Sequence, residues 1–233
     1  MLCLHRKESW LILVLALLSF TELKAQDPKW TNLPTYDDKF MHYGFSIGLN
    51  TSTFRYKYSD QYFSGDTVLS IKPKPSAGFT LGFIANMRLG DKFDLRLLPT
   101  VGFYERTLDY HYVKGTVKTQ TIESTFIELP LLVKFKSQRR KNARMYVIGG
   151  LKPCLEAGSK KKERKASDLR TNSFDLALDY GLGFDFYYEL FKFSPEIRFS
   201  HGFVNLLQQD NNAYSKSLMK LTSHTVTIYL HFE

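Results

Sequence analysis

Ser200 and His201 are neighbouring residues whose types could hydrolyse an ester, with the serine as nucleophile and the histidine as its base. They lie in a segment where apolar and polar residues alternate, which predicts a β-strand. Successive side chains of a strand point to opposite faces, so these two cannot hydrogen-bond to each other. A serine on the face of His201 would have to stand two residues later, where the sequence has Phe203. The pattern therefore argues against a lipid hydrolase, which stays open as the enzymatic alternative.

Histidines could also bind a metal ion, and five of them lie beyond the N-terminal apolar stretch. They are His42, His111, His201, His224 and His231. No two of them stand at ligand spacing on one predicted strand face. The sequence also has no nucleotide-binding loop, zinc-finger spacing or EF-hand. We therefore predict no catalytic residue, no cofactor and no metal ion, and a protein that is not an enzyme.

Eight segments alternate apolar and polar residues with a period of two. This pattern predicts β-strands, which would position these side chains. We predict strands at residues 41–54, 76–89, 93–109, 119–136, 143–156, 174–188, 193–206 and 222–233. The sixth is long for a soluble protein, whose strands usually have about five or six residues. The last carries Val226, Ile228, Leu230 and Phe232 on one face, as the closing strand of an outer-membrane barrel does. Pro99 lies inside the third strand and predicts an irregularity there.

The connections between these segments alternate between long and short. They are long at 55–75, 110–118, 157–172 and 207–217, and short at 90–92, 137–142 and 189–192. Bacterial outer-membrane barrels have short periplasmic turns and long external loops, and an even strand number leaves both termini in the periplasm. The sequence therefore predicts an all-β fold, an eight-stranded antiparallel transmembrane β-barrel of the outer membrane over residues 41–233.

Nine charged residues have the parity that points into this barrel. They are Arg96, Glu128, Lys134, Lys152, Asp175, Asp179, Asp185, Glu196 and Arg198. A barrel of eight strands is only wide enough for its own side chains to fill it. Buried charges need partners, so we predict a salt-bridged polar network that fills the interior. The alternative, a path for ions or solutes, is disfavoured by the strand number.

The residues before the barrel divide into two parts. Residues 1–25 have a basic start, an apolar run too short to span a bilayer comfortably, and a small residue at a cleavage site. They are predicted to be a signal peptide, with a membrane anchor as the alternative.

Residues 26–40 are predicted to form a periplasmic segment with no clear periodicity. The segment carries candidate partner-binding residues, namely Trp30, Leu33, Tyr36, Asp37 and Asp38. The alternative is that it caps the periplasmic mouth of the barrel, with the two aspartates paired to the basic turn at 139–144.

The formal charge of the chain is +9 at pH 7. Part of it lies in a predicted external basic loop with Lys160, Lys161, Lys162, Arg164 and Lys165. A solvated loop is the simplest interpretation, and contact with lipid A phosphates or an acidic partner is the functional one. We expect outer-membrane lipid and lipopolysaccharide as partners of an exported chain, and no nucleic acid.

Three motifs resemble the PorT family of the Bacteroidota. Residues 32–39 read N-L-P-T-Y-D-D-K and are followed by H-Y-G-F at 42–45. Residues 128–134 read E-L-P-L-L-V-K, and residues 194–202 read S-P-E-I-R-F-S-H-G. The last two motifs resemble those of many outer-membrane barrels, whereas the first points to PorT. The resemblance runs over nearly the whole chain after the leader.

The resemblance implies a component of the type IX secretion system, which exports proteins across the outer membrane and serves gliding motility in some members. PorT-like proteins are sometimes described as translocating porins, but eight strands cannot pass a folded cargo. We therefore expect an accessory or assembly role beside other type IX secretion components. The alternatives are a lipid-A-modifying barrel enzyme and a purely structural outer-membrane barrel.

Overall fold

The computed structural model describes residues 31–59, 68–112, 115–157, 169, 171–208 and 217–233. The predicted signal peptide, Trp30 and the five cations of the predicted basic loop lie outside the described residues. Asn32–Glu233 form one unit of the structure, and that unit contains the barrel.

The described residues contain eleven β-strands. They are β1 (Met41–Tyr58), β2 (Val68–Lys74), β3 (Ser76–Arg88), β4 (Phe93–Leu97), β5 (Thr100–Tyr112), β6 (Val117–Glu128), β7 (Leu131–Lys136), β8 (Ala143–Glu156), β9 (Phe174–Tyr187), β10 (Lys192–Gly202) and β11 (Leu218–Phe232). A single turn of 3-10 helix, Tyr36–Asp38, precedes β1. In the described part of the chain, no helix is long and apolar enough to cross a membrane.

Three prolines divide what would otherwise be eight strands. Pro75 separates β2 from β3, Pro99 lies between β4 and β5, and Pro130 lies between β6 and β7. Proline has no backbone N–H to donate to the sheet, so the pairing is interrupted there. The predicted irregularity at Pro99 is therefore confirmed, and β3 pairs with both β4 and β5 across it. In the same way β8 pairs with both β6 and β7.

The sheet closes on itself through the first and last strands. β1 pairs with β11 from Phe45 opposite Phe232 to Tyr58 opposite Leu218, and with β3 on its other side. Between them β4 pairs with β7, and β5 pairs with β2 and β6. The ring then runs from β8 through β9 and β10 to β11, and all pairings are antiparallel. The described residues thus form a closed ring of eight antiparallel strands, as the sequence predicts.

The outer face of the ring is apolar and its interior is polar over most of its height. Tyr43, Leu49 and Phe83 are 69%, 65% and 73% exposed, whereas Ser46 and Asn50 on the opposite parity of β1 are buried. An apolar surface that surrounds a whole ring requires lipid as its solvent. The fold is therefore a transmembrane β-barrel with a polar interior that its own side chains fill.

Two inward tyrosine rings lie over glycines of the adjacent strand. Gly48 is opposite Tyr229 in the register, and Gly183 is opposite Tyr146. A Cβ atom added at Gly48 would lie 2.8 Å from the ring of Tyr229, and one at Gly183 would lie 2.5 Å from that of Tyr146. A larger residue at either position would have to displace the ring, so small inward residues make room for the two tyrosines along the wall of a narrow barrel.

The two ends of the barrel differ in their connections and in their interior. The short-turn end carries the connections 89–92, 137–142 and 188–191, and the long-loop end carries 59–67, 113–116, 157–173 and 203–217. At the long-loop end the interior becomes apolar. We name ten buried residues there the apolar cap, namely Phe54, Ile71, Leu108, Tyr110, Ile122, Leu169, Leu206, Leu207, Leu218 and Leu221.

The strands reach further toward the long-loop end than the sequence predicts. β1 continues to Tyr58 and β2 occupies Val68–Lys74, so much of the predicted loop at 55–75 is sheet. Only residues 113–116 connect β5 with β6, so the predicted long loop at 110–118 is wrong. In both places apolar residues, Ile71 and Tyr110, point into the apolar cap, and Lys72 beside Ile71 is exposed, which reverses the pattern of the rest of the barrel.

Candidate functional site: the charged interior and its mouth

The nine charged residues singled out from the sequence all lie in the barrel interior. Each is at most 4% exposed. They come from β4, β6, β7, β8, β9 and β10, whose tilt brings them to different heights. The structure distributes them over clusters centred on three carboxylates, Glu196, Asp185 and Glu128.

Glu196 is surrounded by polar groups from three other strands and from its own. Arg198 donates its Nε to Glu196 Oε1 at 2.7 Å, and Tyr146 donates its hydroxyl to Oε2 at 2.8 Å. Arg96 Nη1 lies 3.5 Å and His231 Nε2 3.4 Å from the same Oε2. A carboxylate with this many donors keeps its charge although it is buried, because the hydrogen bonds offset the loss of water.

Asp185 forms the second cluster, nearer the short-turn end. Lys134 Nζ lies 2.8 Å from both carboxylate oxygens, and Arg144 donates its Nε at 2.9 Å. Ser194 adds a hydroxyl donor at 2.7 Å. The ammonium of Lys134 also lies 3.7 Å from the centre of the Tyr146 ring, which adds a cation–π contact.

Glu128 forms the third cluster with a different balance of partners. Tyr104 donates its hydroxyl at 2.7 Å, Thr100 donates at 3.3 Å, and Lys152 Nζ lies 3.4 Å away. Neutral hydroxyls therefore contribute more of its hydrogen bonding than the cation does.

Two of the nine residues, Asp179 and Asp175, have fewer or longer ionic contacts than the others. Asp179 lies 3.8 Å from Arg198 Nη1, and Asp175 accepts a hydrogen bond from Ser223 without an ion pair among the described residues. A cavity of about 10 Å³ separates Asp175 from Arg106, room for about one water molecule. Arg106 packs over the rings of Phe54, Tyr104 and Phe126.

Sequence reasoning missed several charged residues of the interior. Glu233 accepts hydrogen bonds from Arg96 at 2.7 Å and from Lys192 at 2.9 Å, and Lys136 lies 2.5 Å from Asp94. Parity could have found them, because Glu233 continues the inward series of β11 and Lys192 that of β10. They lie at strand ends, where the alternation appeared to stop.

Residues 32–38 cover the mouth of the barrel at the short-turn end. Asp37 lies 3.0 Å from Arg144 and 3.8 Å from Arg139, and its backbone oxygen accepts a hydrogen bond from Arg88 at 2.5 Å. Arg139 also donates to the backbone oxygens of Asn32 and Leu33. The segment is therefore held by the start of β8, by the 137–142 connection and by the end of β3.

Tyr36 enters the mouth itself. Its ring stacks on His42 with 4.0 Å between centroids, and its hydroxyl donates to Glu233 at 3.2 Å. Burial, together with the neighbouring charge of Glu233, raises the pKa of Tyr36 well above its usual range, so the phenol stays a donor. This arrangement joins the N-terminal segment to the Arg96 and Lys192 ion pairs inside.

The candidate partner-binding residues thus fall into those that contact the barrel and those that remain accessible. Tyr36 and Asp37 contact the barrel, and Leu33 is half-buried with a backbone φ of 48°. Asp38 is exposed and makes no ion pair with the described basic residues at 139–144, so the expected pairing holds for Asp37 and not for Asp38.

Ser200 and His201 lie on opposite faces of β10. Ser200 is buried inside, whereas His201 is on the outer face, where its Nε2 lies 2.8 Å from the hydroxyl of Tyr180. His201 Nδ1 also lies 2.8 Å from His224 Nδ1 on β11, a cross-strand pair that single-strand spacing did not reveal. Among the described residues, no group of three or more His, Cys, Asp or Glu side chains is placed to hold a metal ion.

Comparisons with known proteins agree with this architecture. A family model described as "Outer membrane protein beta-barrel domain" matches residues 25–208. No curated protein matches the sequence.

Three solved structures of bacterial proteins are similar to this chain. Neisserial surface protein A is 7% identical over 83% of this chain and 98% of its own, with a TM-score of 0.42. OprG of Pseudomonas aeruginosa is 13% identical over 81% and 92%, with a TM-score of 0.40. The attachment invasion locus protein Ail of Yersinia pestis is 12% identical over 83% and 98%, with a TM-score of 0.35. Identities and scores this low say nothing about activity or ligand.

The family model covers most of the chain, and the chain folds into a closed antiparallel ring with an apolar outer face. The chain therefore belongs to the outer membrane protein beta-barrel domain family and is an outer-membrane β-barrel protein.

Proposed function

We propose that this protein is a non-enzymatic accessory or assembly component of the type IX secretion system. The observation that carries the proposal is that the interior is filled by paired charges and its short-turn mouth is covered by residues 32–38. Such a barrel offers no passage for an exported protein, so a role in export must use its surface. The named system comes from the resemblance of three motifs to the PorT family.

Those three motifs supply side chains to one cluster of contacts around Asp185, which supports using them together as one resemblance. Asp37 from the first motif lies 3.0 Å from Arg144, which donates to Asp185. Lys134 from the second motif lies 2.8 Å from that same carboxylate. The third motif supplies Ser194, which also donates to Asp185. The motif residues therefore couple the N-terminal segment to the barrel wall.

We propose that the short-turn end faces the periplasm and presents residues 32–40 to a partner. Leu33 is half-buried and Asp38 is exposed, so both remain accessible while Tyr36 and Asp37 hold the segment in place. A partner that binds here would approach from the side on which secretion substrates arrive. Gliding motility would depend on the protein only through secreted components.

The test is deletion of the gene in the native host, with secreted type IX cargo and lipid A mass measured in the same cells. We expect cargo to be lost from the medium and the lipid A mass to be unchanged. Intact secretion with altered acylation would overturn the proposal and favour the enzyme. Intact secretion with unaltered lipid A would leave a structural barrel.

A photo-crosslinking residue at Asp38 tests the proposed surface directly. We expect a crosslinked product with a periplasmic or membrane component of the secretion system. Glu189, an exposed acidic residue in the 188–191 turn of the same end, is the matched control position. Equal crosslinking from both positions would contradict a specific partner at the N-terminal segment.

A further inference from the structure

The outer face carries a basic patch beyond its apolar belt, on β10, β11 and β1 near the long-loop end. We name Arg55, Lys57, Lys220, His201 and His224 the cationic rim patch. Arg55 and Lys57 are exposed, and the other three are partly exposed on the same outward parity. The function proposed above does not use this patch.

The register of β1 with β11 forces like charges together in the patch. Lys57 is directly opposite Lys220, and Arg55 is opposite Thr222 in the next outward row. Like charges directly opposite on paired strands destabilise a sheet. Within the described part of the chain, none of these three cations forms an ion pair with an acidic side chain. An anion from outside the barrel would offset this repulsion between cations.

The height of the patch identifies where that anion would lie. On β1 the outward residues from Met41 to Leu49 are apolar, and the row of Thr51 and Val226 follows. At about 3.3 Å per residue and a tilt of about 40°, Met41 to Thr51 rises about 25 Å, the height of the apolar band of an outer-membrane barrel. On the same scale the backbone of Arg55 lies about 10 Å and that of Lys57 about 15 Å beyond Thr51, and their long side chains reach back toward the lipid headgroups and their phosphates.

The two histidines add an oriented donor to the cations. Tyr180 lies 2.8 Å from His201 Nε2, and the two Nδ1 atoms of His201 and His224 are 2.8 Å apart. Both contacts are satisfied when Tyr180 donates to His201 and His201 donates to His224, the direction that an anion accepting from His224 Nε2 would select over its reverse. His224 Nε2 then carries a hydrogen, and it has no acceptor among the described residues.

We propose that the cationic rim patch binds the phosphate groups of lipid A in the outer leaflet, with the acyl chains against the apolar outer residues of β1 and β11. Lipid A is favoured over a glycerophospholipid because three cations and a histidine donor, spread over successive rows, match a headgroup with two phosphates. At a comparable level β5 and β6 place Glu105 opposite Glu123 on the outer face, and Lys74 of the neighbouring β2 is paired with Asp109, so acidic groups accompany the cations there but not in the cationic rim patch. The assignment to the outer leaflet rests on the orientation proposed above, in which the short-turn end faces the periplasm.

The test is native mass spectrometry of the full barrel in detergent, titrated with diphosphoryl lipid A. The variant is Arg55→Gln/Lys57→Gln/Lys220→Gln, and the matched control is Lys39→Gln/Lys92→Gln/Arg140→Gln, which removes three exposed cations near the short-turn end. At about a five-fold effect per cation, we expect the patch variant to bind on the order of a hundred-fold more weakly and the control variant like the unchanged protein. Heat-modifiable migration in detergent gels verifies that each variant is folded.

Three further ligands, each tested with the unchanged protein, show whether binding depends on the phosphates and on lipid A. Dephosphorylated lipid A with the same acyl chains should bind weakly, phosphatidylglycerol should bind more weakly than diphosphoryl lipid A, and inorganic phosphate should compete only at high concentration. Equal binding of dephosphorylated lipid A, or undiminished binding by the patch variant, would overturn the proposal. Equal binding of phosphatidylglycerol would overturn the assignment to lipid A. A secretion defect without lipid A binding would remove this inference and leave the proposed function standing.

Discussion

The membrane-spanning part of the barrel and its long-loop end are built from the same strands with opposite polarity. On β1 the buried Asn50 and exposed Leu49 give way to the buried Phe54 and exposed Arg55. On β11 the buried Thr227 and exposed Ile228 give way to the buried Leu221. The parity never changes, so the same face is lined first by polar and then by apolar side chains. The surrounding solvent, lipid in one region and water in the other, decides which pattern is stable.

The two regions also use different forces to fill a narrow interior. In the membrane-spanning part, carboxylates such as Asp185 and Glu196 each hold two or more cations. In the apolar cap, leucine, isoleucine, phenylalanine and tyrosine side chains pack against one another. Removing one partner should therefore have different consequences in the two regions, an unpaired charge in one and a cavity in the other.

Asp185→Ala should produce the largest loss of stability. It leaves Lys134 and Arg144 buried beside an empty site, and removing one partner of a buried ion pair costs about 3–5 kcal/mol. Urea unfolding in lipid vesicles, followed by circular dichroism, measures the effect. Asp38→Ala, an exposed carboxylate near the same end, is the control. An unchanged midpoint for Asp185→Ala would show that the interior charges are not coupled as the contacts indicate.

Leu221→Ala, in the apolar cap, should produce the next largest loss of stability. Leu221 is 0% exposed, and truncating a buried leucine costs about 2–5 kcal/mol through lost burial and the cavity left behind. The same unfolding assay applies. Leu69→Ala, on the exposed face of the same end, should change stability by less than about 0.5 kcal/mol. Equal shifts for the two variants would contradict a packed cap.

Placing an arginine on the outer face of β11 tests where lipid ends. Ile228→Arg puts a charge in the apolar belt and should cost about 2–4 kcal/mol, whereas Thr222→Arg near the patch should cost about 0–1 kcal/mol. Unfolding from vesicles measures both. Similar costs at the two positions would mean that the boundary between lipid and water does not lie between them.

Tyr36→Phe should have the smallest effect of the four. It removes one hydrogen bond to Glu233, whose loss costs about 1–2 kcal/mol because the acceptor is charged and partly enclosed. The expected result is a modest drop in midpoint, together with faster protease cleavage ahead of β1. Tyr43→Phe, whose hydroxyl faces outward, serves as the control. Unchanged cleavage would indicate that the other contacts of residues 32–38 hold the segment without this hydrogen bond.

Alternation of apolar and polar residues was enough to predict the eight strands, because lipid outside and a narrow polar interior impose it from β1 to β11. It failed at Ile71 and Tyr110, where the polarity reverses and a strand resembles a polar loop. It also could not predict contacts between strands such as His201 with His224 or Arg96 with Glu196. Those contacts depend on register, and a slip of one residue would move every side chain to the other face.

Spin labels along the outer face of β11 test the central claim, the reversal of polarity, most directly. Single cysteines at positions 220, 222, 224, 226 and 228, in a Cys154→Ser background, would be labelled and reconstituted in bilayers. We predict that oxygen, which concentrates in lipid, relaxes the labels at 226 and 228 most strongly. A water-soluble nickel complex should relax those at 220 and 222. Strong relaxation by the nickel complex at 228, or by oxygen alone at 220, would contradict the account.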